Sequence, residues 1–324
     1  MFFALRESDM PSSSVRTFTE PDEYAAAIRQ GTVQLTVTQC GIFKAKLTRI
    51  DLHRLWMQRF SDDLARTCHV EGWGGRAIIV FRTQPGPSLS RNGVELDWTD
   101  IWRPGPGQSY YHHTSGPTSY GSVSLPIEEM ASVGATVAGC DLAPPINAQT
   151  SRPMPEAIAR LRRLHEAAAH LAEDAPNVLA HPEVARGVDQ ALIGAMIDCV
   201  GDGAAREDKA ALRRHAAIMR RFHQTIEQHV GQPLYLPELC REIGASERTL
   251  RECCQEHLGL GPKHYLLLRR MHLVRRALRA NSPTETTVTE IATRYGFWQF
   301  GRLAVQYGAL FGETPSATLA RSMQ

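Results

Sequence analysis

Arg248, Thr249, Arg251, Glu252 and Gln255, with Ser246 just ahead of them, fall on one side of a predicted helix. Its other side is Leu250, Cys253, Cys254, His257 and Leu258, the spacing of an inward apolar stripe. An arginine guanidinium presents a planar fork of N–H groups, and a glutamine amide both donates and accepts. A face built from such groups can read base-pair edges in a DNA major groove. Taken alone, it also fits an ordinary solvated helix surface.

The elements that would present this face are legible upstream. Pro237 suits a first helical turn, where its missing N–H is harmless. Leu239 and Ile243 are four residues apart and share a face. Cys240 is small enough for a close helix crossing, Gly244 supplies a permissive turn, and Ser246 can cap the next helix. The grammar is helix, tight turn, helix.

It recurs about fifty residues later, as the numbering of Leu239 and Ile291 indicates. Thr287 and Glu290 have capping-box spacing. Ile291 points inward, Ala292 is the small crossing residue and Gly296 makes the turn. Phe297, Leu303, Tyr307 and Phe311 form the next inward stripe, leaving Trp298, Gln299, Phe300, Gly301, Arg302, Ala304 and Val305 for the outer face or its edge. This second turn is one residue longer, and its outer face is less polar, favouring backbone and thymine-methyl contacts.

Between the copies, Pro262 to Ala280 reads as a helix roughly 28 Å long. Readers on one side of a duplex sit about 34 Å apart, so its length suits a rigid spacer. Its arginines, Arg269, Arg275, Arg276 and Arg279, read on their own as a solvated face.

With these residues in place, the stretch from His215 onward resembles the DNA-binding domain of AraC/XylS-family bacterial transcription regulators. The family's second-motif signature is matched by Ile291-Ala292, Tyr295-Gly296-Phe297, Leu303, Tyr307, Phe311-Gly312 and Pro315. One departure is Gly308, where the family usually carries a basic residue. The resemblance implies sequence-specific binding of double-stranded DNA, a small-molecule effector, a homodimer and contact with RNA polymerase. It implies no cofactor and no catalytic residues. Ser246, Arg248, Thr249, Arg251, Glu252 and Gln255 would enter one groove, and Gln299, Phe300, Gly301, Arg302 and Val305 the next.

A length of 324 residues points to two domains. The net charge of +2 is unevenly placed: from His215 onward Lys and Arg outnumber Asp and Glu, 14 to 9, whereas before it 22 stand against 25. A basic end and an acidic front suit a DNA module joined to one that does not touch DNA. Seven cysteines without framework spacing indicate a reducing compartment, and Cys253 and Cys254 read as inert core thiols. No apolar run reaches membrane-spanning length, and the first fifteen residues lack the plan of an export signal. A cytoplasmic protein is expected.

The predicted fold class is α+β: an N-terminal cupin-like β-barrel with dimerisation-type helices over 1–200, a linker over 201–214, and an all-α domain over 215–324. That last domain holds two helix-turn-helix motifs joined by a long helix. Residues 1–20 read as a disordered or loosely docked start, and Glu20 to Gln30 as a short helix. Strands are expected at Val33 to Val37, Ile42 to Ile50, Asp51 to Phe60, Ala77 to Thr83 and Val123 to Leu125, punctuated by turns such as Arg91-Asn92-Gly93. The resemblance here is to the sensor domain of XylS-type members. Helices at Pro155 to Ala172 and near Val184 to Val200 either dimerise or pack on their own barrel.

Such a barrel can hold a small molecule in its mouth, with His53, Trp56, Arg82 and Trp102 as candidate lining groups. Each also reads as ordinary core or surface. His112 and His113 are adjacent on a strand and must face opposite ways, so no metal site is assigned there. A cupin-type enzyme with a helical appendage, or a ligand-independent DNA-binding protein, are the rival readings. The first needs a metal cluster or an activated nucleophile that the linear sequence does not display.

Overall fold

The computed structural model describes residues 11–29, 31–138, 142–201, 204–205, 210–229 and 234–321. The N-terminal region runs β1 (Ser12–Phe18), α1 (Pro21–Ala27), β2 (Gly31–Val37), β3 (Ala45–Asp51), β4 (Trp56–Asp62), β5 (Arg66–Gly72), β6 (Arg76–Arg82), β7 (Leu89–Arg91), β8 (Val94–Glu95), β9 (Ile101–Arg103), β10 (Ser109–Thr114) and β11 (Thr118–Pro126). There follow α2 (Ile127–Val133), a π-helical turn at Gly134–Ala138, β12 (Gln149–Arg152), α3 (Pro155–Asp174), α4 (Pro176–Leu179), α5 (Pro182–Gly201) and β13 (Ala204–Ala205).

These strands form two sheets, not a closed barrel. The larger has the order β1-β3-β4-β11-β6-β9-β12-β13, the smaller β2-β5-β10-β7-β8, and all their pairings are antiparallel. Among the described residues no ladder joins the two sheets, so they do not close and edges remain. The edge strand β2 is partly covered: the His272 ring lies 3.2 Å from the Val37 carbonyl oxygen at its end. A guarded edge is less prone to pair with another chain.

From Ser12 the start of the chain is a docked strand, not the loose segment its sequence suggests. Ser12 to Phe18 pairs in register with β3, from Ser12 opposite Asp51 to Phe18 opposite Ala45. Its side chains are mostly exposed, so backbone hydrogen bonds hold it and it leaves no alternating apolar pattern to read. Residues 1–10 lie outside the described residues. The strand β5 has no counterpart among the strands expected from the sequence. Arg66, Thr67 and His69 of β5 are buried beside Cys68 and Val70, and polar groups buried on both faces erase the two-residue period.

Alternation on the large sheet creates two cores. Ile79 and Phe81 of β6, with Val123 and Leu125 of β11, meet Ile158, Leu161 and Ala168 of α3 and Leu192 and Met196 of α5. The in-between residue Val80, with Tyr120 of β11, faces Leu35, Cys68 and Val70 of the small sheet. The apolar stripe of α3 is thus buried on its own sheet. On that stripe His165 lies edge-on to Phe81, its Nε2 3.1 Å from the Gln58 carbonyl oxygen.

Burial pushes His165 down to about 3 and His272 down to about 4. Both imidazoles are neutral in the fold at neutral pH. Above about pH 6.5 they are neutral in the unfolded chain as well, so they impose no pH dependence there. As pH falls through 6.5 towards 4, the unfolded chain takes up protons that the fold refuses. Going from about pH 7.5 to about pH 5 should therefore cost roughly 2 kcal/mol for each of the two histidines. Urea unfolding at both pH values measures this, and equal midpoints would contradict it.

The C-terminal region is helical: α6 (Ala210–Gln228), α7 (Leu236–Ile243), α8 (Glu247–Leu258), α9 (Pro262–Ala280), α10 (Val288–Arg294), α11 (Phe300–Phe311) and α12 (Pro315–Arg321). Of the expected linker, residues 202–203 and 206–209 lie outside the described residues. The long helix α9 joins two cores. Its Tyr265 packs with Phe222, Leu239, Ile243, Leu250 and Cys254, while Leu268, Met271, Val274 and Leu278 pack with Ile291, Leu303, Tyr307 and Leu310.

Candidate nucleic-acid interface

In the first motif Gly244 takes the left-handed conformation, φ 69°, that closes α7 and that L side chains adopt only at a cost. The Ser246 hydroxyl then caps α8 by accepting the Thr249 N–H at 3.1 Å. Leu239, Ile243, Leu250, Cys253 and Cys254 are buried, and burial lifts the Cys253 thiol to about 11 and raises that of Cys254 as well. Neither is a reactive thiolate.

What remains outside on α8 is the face read from the sequence. Ser246, Arg248, Arg251, Glu252 and Gln255 are exposed, and Thr249 is half-buried. Arg248 donates to Glu252 at 3.0 Å, Arg251 stands 3.9 Å from Glu247, and the Gln255 amide donates to the Gly259 carbonyl. Pairs this exposed hold only weakly, so the arginine heads can turn to a duplex.

The second motif starts from the predicted capping box, with Thr287 and Glu290 each satisfying the other's backbone N–H. Residues 295–299 make its turn, with Gly296 at φ 76°. No side chain caps α11, which leaves its first-turn N–H groups open to an anion. Gln299, Phe300, Gly301, Arg302 and Val305 are all exposed. Trp298 is 77% exposed and Val305 74%, an apolar presentation unusual for a surface that meets only water.

Gly308 sits inside α11, and a Cβ there would meet nothing nearer than the Glu313 carbonyl oxygen at 3.9 Å. Gly308→Ala should accordingly stabilise the protein by up to about 1 kcal/mol. A thermal melt that falls instead would show that the position needs glycine for a reason other than space.

Three arginines of α9 are paired with acids and not left to solvent alone. Arg275 is bidentate to Glu20, at 2.5 and 3.0 Å, and also reaches Glu313 at 3.2 Å. Arg276 pairs with Asp22 at 2.6 Å, and Arg279 with Glu20 and Glu23. The acidic start of α1, set against this helix by the fold, neutralises it. Linear charge patterning could not reveal a partner some 250 residues away.

The two domains meet elsewhere too. On β10, His112 points between the sheets while Tyr111 and His113 point at the helical domain. Tyr111 packs with Ile218, Met219 and Phe222, and His113 Nδ1 lies 3.3 Å from the His257 carbonyl oxygen. The β7–β8 hairpin turns through Asn92 (φ 47°) and Gly93 (φ 79°), the left-handed pair that tight hairpins require. Its tip abuts α8: a Cβ on Gly93 would fall 2.5 Å from Glu256.

Between the sheets is a cleft lined by Arg29, Arg76, Arg91, Phe60, Tyr110 and Tyr120 among others, with no acidic residue among its lining groups. Arg91 is 2% exposed, lies over the rings of Trp102, Tyr110 and Tyr120, and has no hydrogen-bond partner for Nε or Nη1. Burial lowers Arg76 to about 10. By contrast the neighbouring Arg66 has its own carboxylate, Asp62.

None of His53, Trp56, Arg82 and Trp102 lines this cleft. His53 sits in the β3–β4 turn. Trp56 stacks under Arg76 and Arg29, Arg82 donates to the Gly86 and Pro87 carbonyls, and Trp102 is core. The arginines that do line it carried no sequence signal beyond Arg91 preceding a hairpin turn.

The family described as "Helix-turn-helix domain" matches residues 239–321. The probable thc operon regulatory protein of Rhodococcus erythropolis is 37% identical over 150 residues, 45% of this chain and 44% of that one. The XylDLEGF operon transcriptional activator of Pseudomonas putida is 29% identical over 147 residues, 45% of each chain. The chain therefore spans less than half the length of these curated relatives. A solved structure of a probable AraC family transcriptional regulator from Rhodopseudomonas palustris aligns at 30% identity and TM-score 0.29, covering 33% of this chain and 97% of that one.

Proposed function

We propose that the chain is an AraC/XylS-family transcription regulator, a reading supported by its matching C-terminal region, and that it is cytoplasmic, responds to an effector and binds double-stranded DNA. Ser246, Arg248, Thr249, Arg251, Glu252 and Gln255 read one major groove, with Arg248 and Arg251 as the main hydrogen-bond donors to bases. Gln299, Phe300, Gly301, Arg302 and Val305 read the next, where Arg302 supplies the polar contact and the apolar side chains meet thymine methyls. The observation that carries this reading is the exposed polar face of α8 over a fully buried core. Two copies bind together on DNA, and one of them contacts RNA polymerase.

The effector is a small organic anion with an apolar body. A buried guanidinium without a carboxylate is costly to hold, and an incoming carboxylate would meet Arg91 in the bidentate geometry that arginine favours. Arg91 lies two residues from the hairpin tip that abuts Glu256 of α8, so occupancy of the cleft reaches the reading helix through the β7–β8 hairpin.

DNA binding is tested by fluorescence anisotropy on a salt series, where affinity should fall steeply with rising salt because binding releases counterions. A thermal-shift panel of small carboxylates against their neutral amides tests the effector. Carboxylates alone should raise the melting temperature, and Arg91→Met should abolish the rise. A response equal for acids and amides would reject the anion assignment.

A further inference from the structure

The strand β5 looks two ways. Cys68 and Val70 belong to the core between the sheets. His69 and Glu71, two residues apart and so on the opposite face, look at α6 of the helical domain. There they meet His223. One ligand atom from each of His69, Glu71 and His223 can be chosen so that all lie within 4.8 Å of one another, and His223 Nε2 stands 3.8 Å from the Glu71 carboxylate.

The two histidines are each 5% exposed, and their rings stack with centroids 3.4 Å apart. Nδ1 of His69 and both ring nitrogens of His223 have no hydrogen-bond partner. Two buried imidazoles with three idle nitrogens, face to face beside a carboxylate, are unusual, because buried polar groups are ordinarily satisfied.

We propose that His69, Glu71 and His223 form a binding site for a divalent transition-metal ion of the zinc class, which bridges the N-terminal sheet to α6. Two imidazoles and one carboxylate suit Zn²⁺, Ni²⁺ or Co²⁺, and disfavour Ca²⁺ and Mg²⁺, which want oxygen ligands. Three protein ligands leave a fourth tetrahedral position for water. Glu71 is half-exposed, with 54% of its side chain accessible, and opens a route for the ion and that water. Ligand atoms on a tetrahedral zinc lie roughly 3.3 Å apart. The imidazoles must therefore unstack and turn their nitrogens to a common point when the ion binds.

The site draws on both domains, so the ion would tie them. It stands apart from the anion cleft, on the other face of the same strand. No local spacing motif announces it, because His223 follows His69 by more than 150 positions.

The experiment is titration of the full, chelator-treated chain with zinc chloride, followed by calorimetry and thermal melts, with Co²⁺ absorbance as a spectroscopic check. The expected result is saturation at one equivalent and a raised melting temperature. Glu71→Gln, at an exposed position that should not disturb folding, and His223→Gln should each weaken binding at least tenfold. Co²⁺ should give an intense tetrahedral spectrum in the parent chain that both variants lose. Absence of saturable binding would overturn the proposal. So would binding that Glu71→Gln leaves unchanged, which would assign the ion to other histidines among the 13 in the chain.

Discussion

Asp62→Asn is expected to destabilise the N-terminal domain by about 3–5 kcal/mol, the cost of stranding a buried charge. Asp62 and Arg66 both have fully buried side chains. The guanidinium meets the carboxylate in bidentate fashion, Nε to Oδ1 at 2.9 Å and Nη2 to Oδ2 at 2.6 Å. Burial opposes the Arg66 charge, yet Asp62 beside it holds the guanidinium well above its ordinary value. The remaining Nη1 lies 2.5 Å from His112 Nε2. Burial, then the charges of Arg66 and Arg91, hold His112 well below its usual range, so its neutral ring is free to accept from Arg66. Asparagine keeps the shape of Asp62 and removes the charge, and Arg66 has no other carboxylate to turn to. Urea unfolding of the purified variant measures the loss. The double change Asp62→Asn with Arg66→Met should recover much of it, because the stranded cation is then gone. A single-variant loss below about 1 kcal/mol would mean that water reaches the pair.

Arg251→Ala should weaken binding to the cognate DNA site by about 1–3 kcal/mol, roughly 5- to 150-fold, and relax specificity at the base pair it reads. Arg251 is exposed on the outer face of α8, and its long contact of 3.9 Å with Glu247 does not tie it down. Losing a base-reading contact spares non-specific binding, which rests on phosphates. Anisotropy titrations with cognate and scrambled duplexes at fixed salt separate the two cases. Equal weakening on both would make Arg251 a phosphate contact and reject its role as a reader. The cores behind it are not at risk in this variant, since Leu250, Cys253 and Cys254 are buried on the other side of the helix.

The helical region was readable because its information is local. Apolar spacing, the capping pair Thr287 and Glu290, the turn glycines Gly244 and Gly296, and the cap Ser246 all act within a few residues. Each formed as its spacing requires. The N-terminal region was only partly readable. Its apolar strands were legible in place but not always in extent: Arg76–Arg82 lies one residue from its expected bounds, whereas β4 and β11 each begin five residues from theirs, and β1 and β5 were not legible. The first is held by backbone pairing and the second buries polar side chains on both faces, and neither condition leaves an alternating pattern.

By itself, then, the chain's order of residues determined two helix-turn-helix units, the polar face of α8, the mixed face of α11 and a strand-rich front. These follow from helical and strand periodicity, a short-range property. Tertiary structure alone decided that two separate sheets replace a barrel and that Arg91 lies buried without a carboxylate. It alone seated Arg275, Arg276 and Arg279 on the acid groups of α1, and brought His69 and Glu71 to His223. These are contacts between segments far apart along the chain, and the physics of charge and burial acts on distance in space, which no linear spacing encodes.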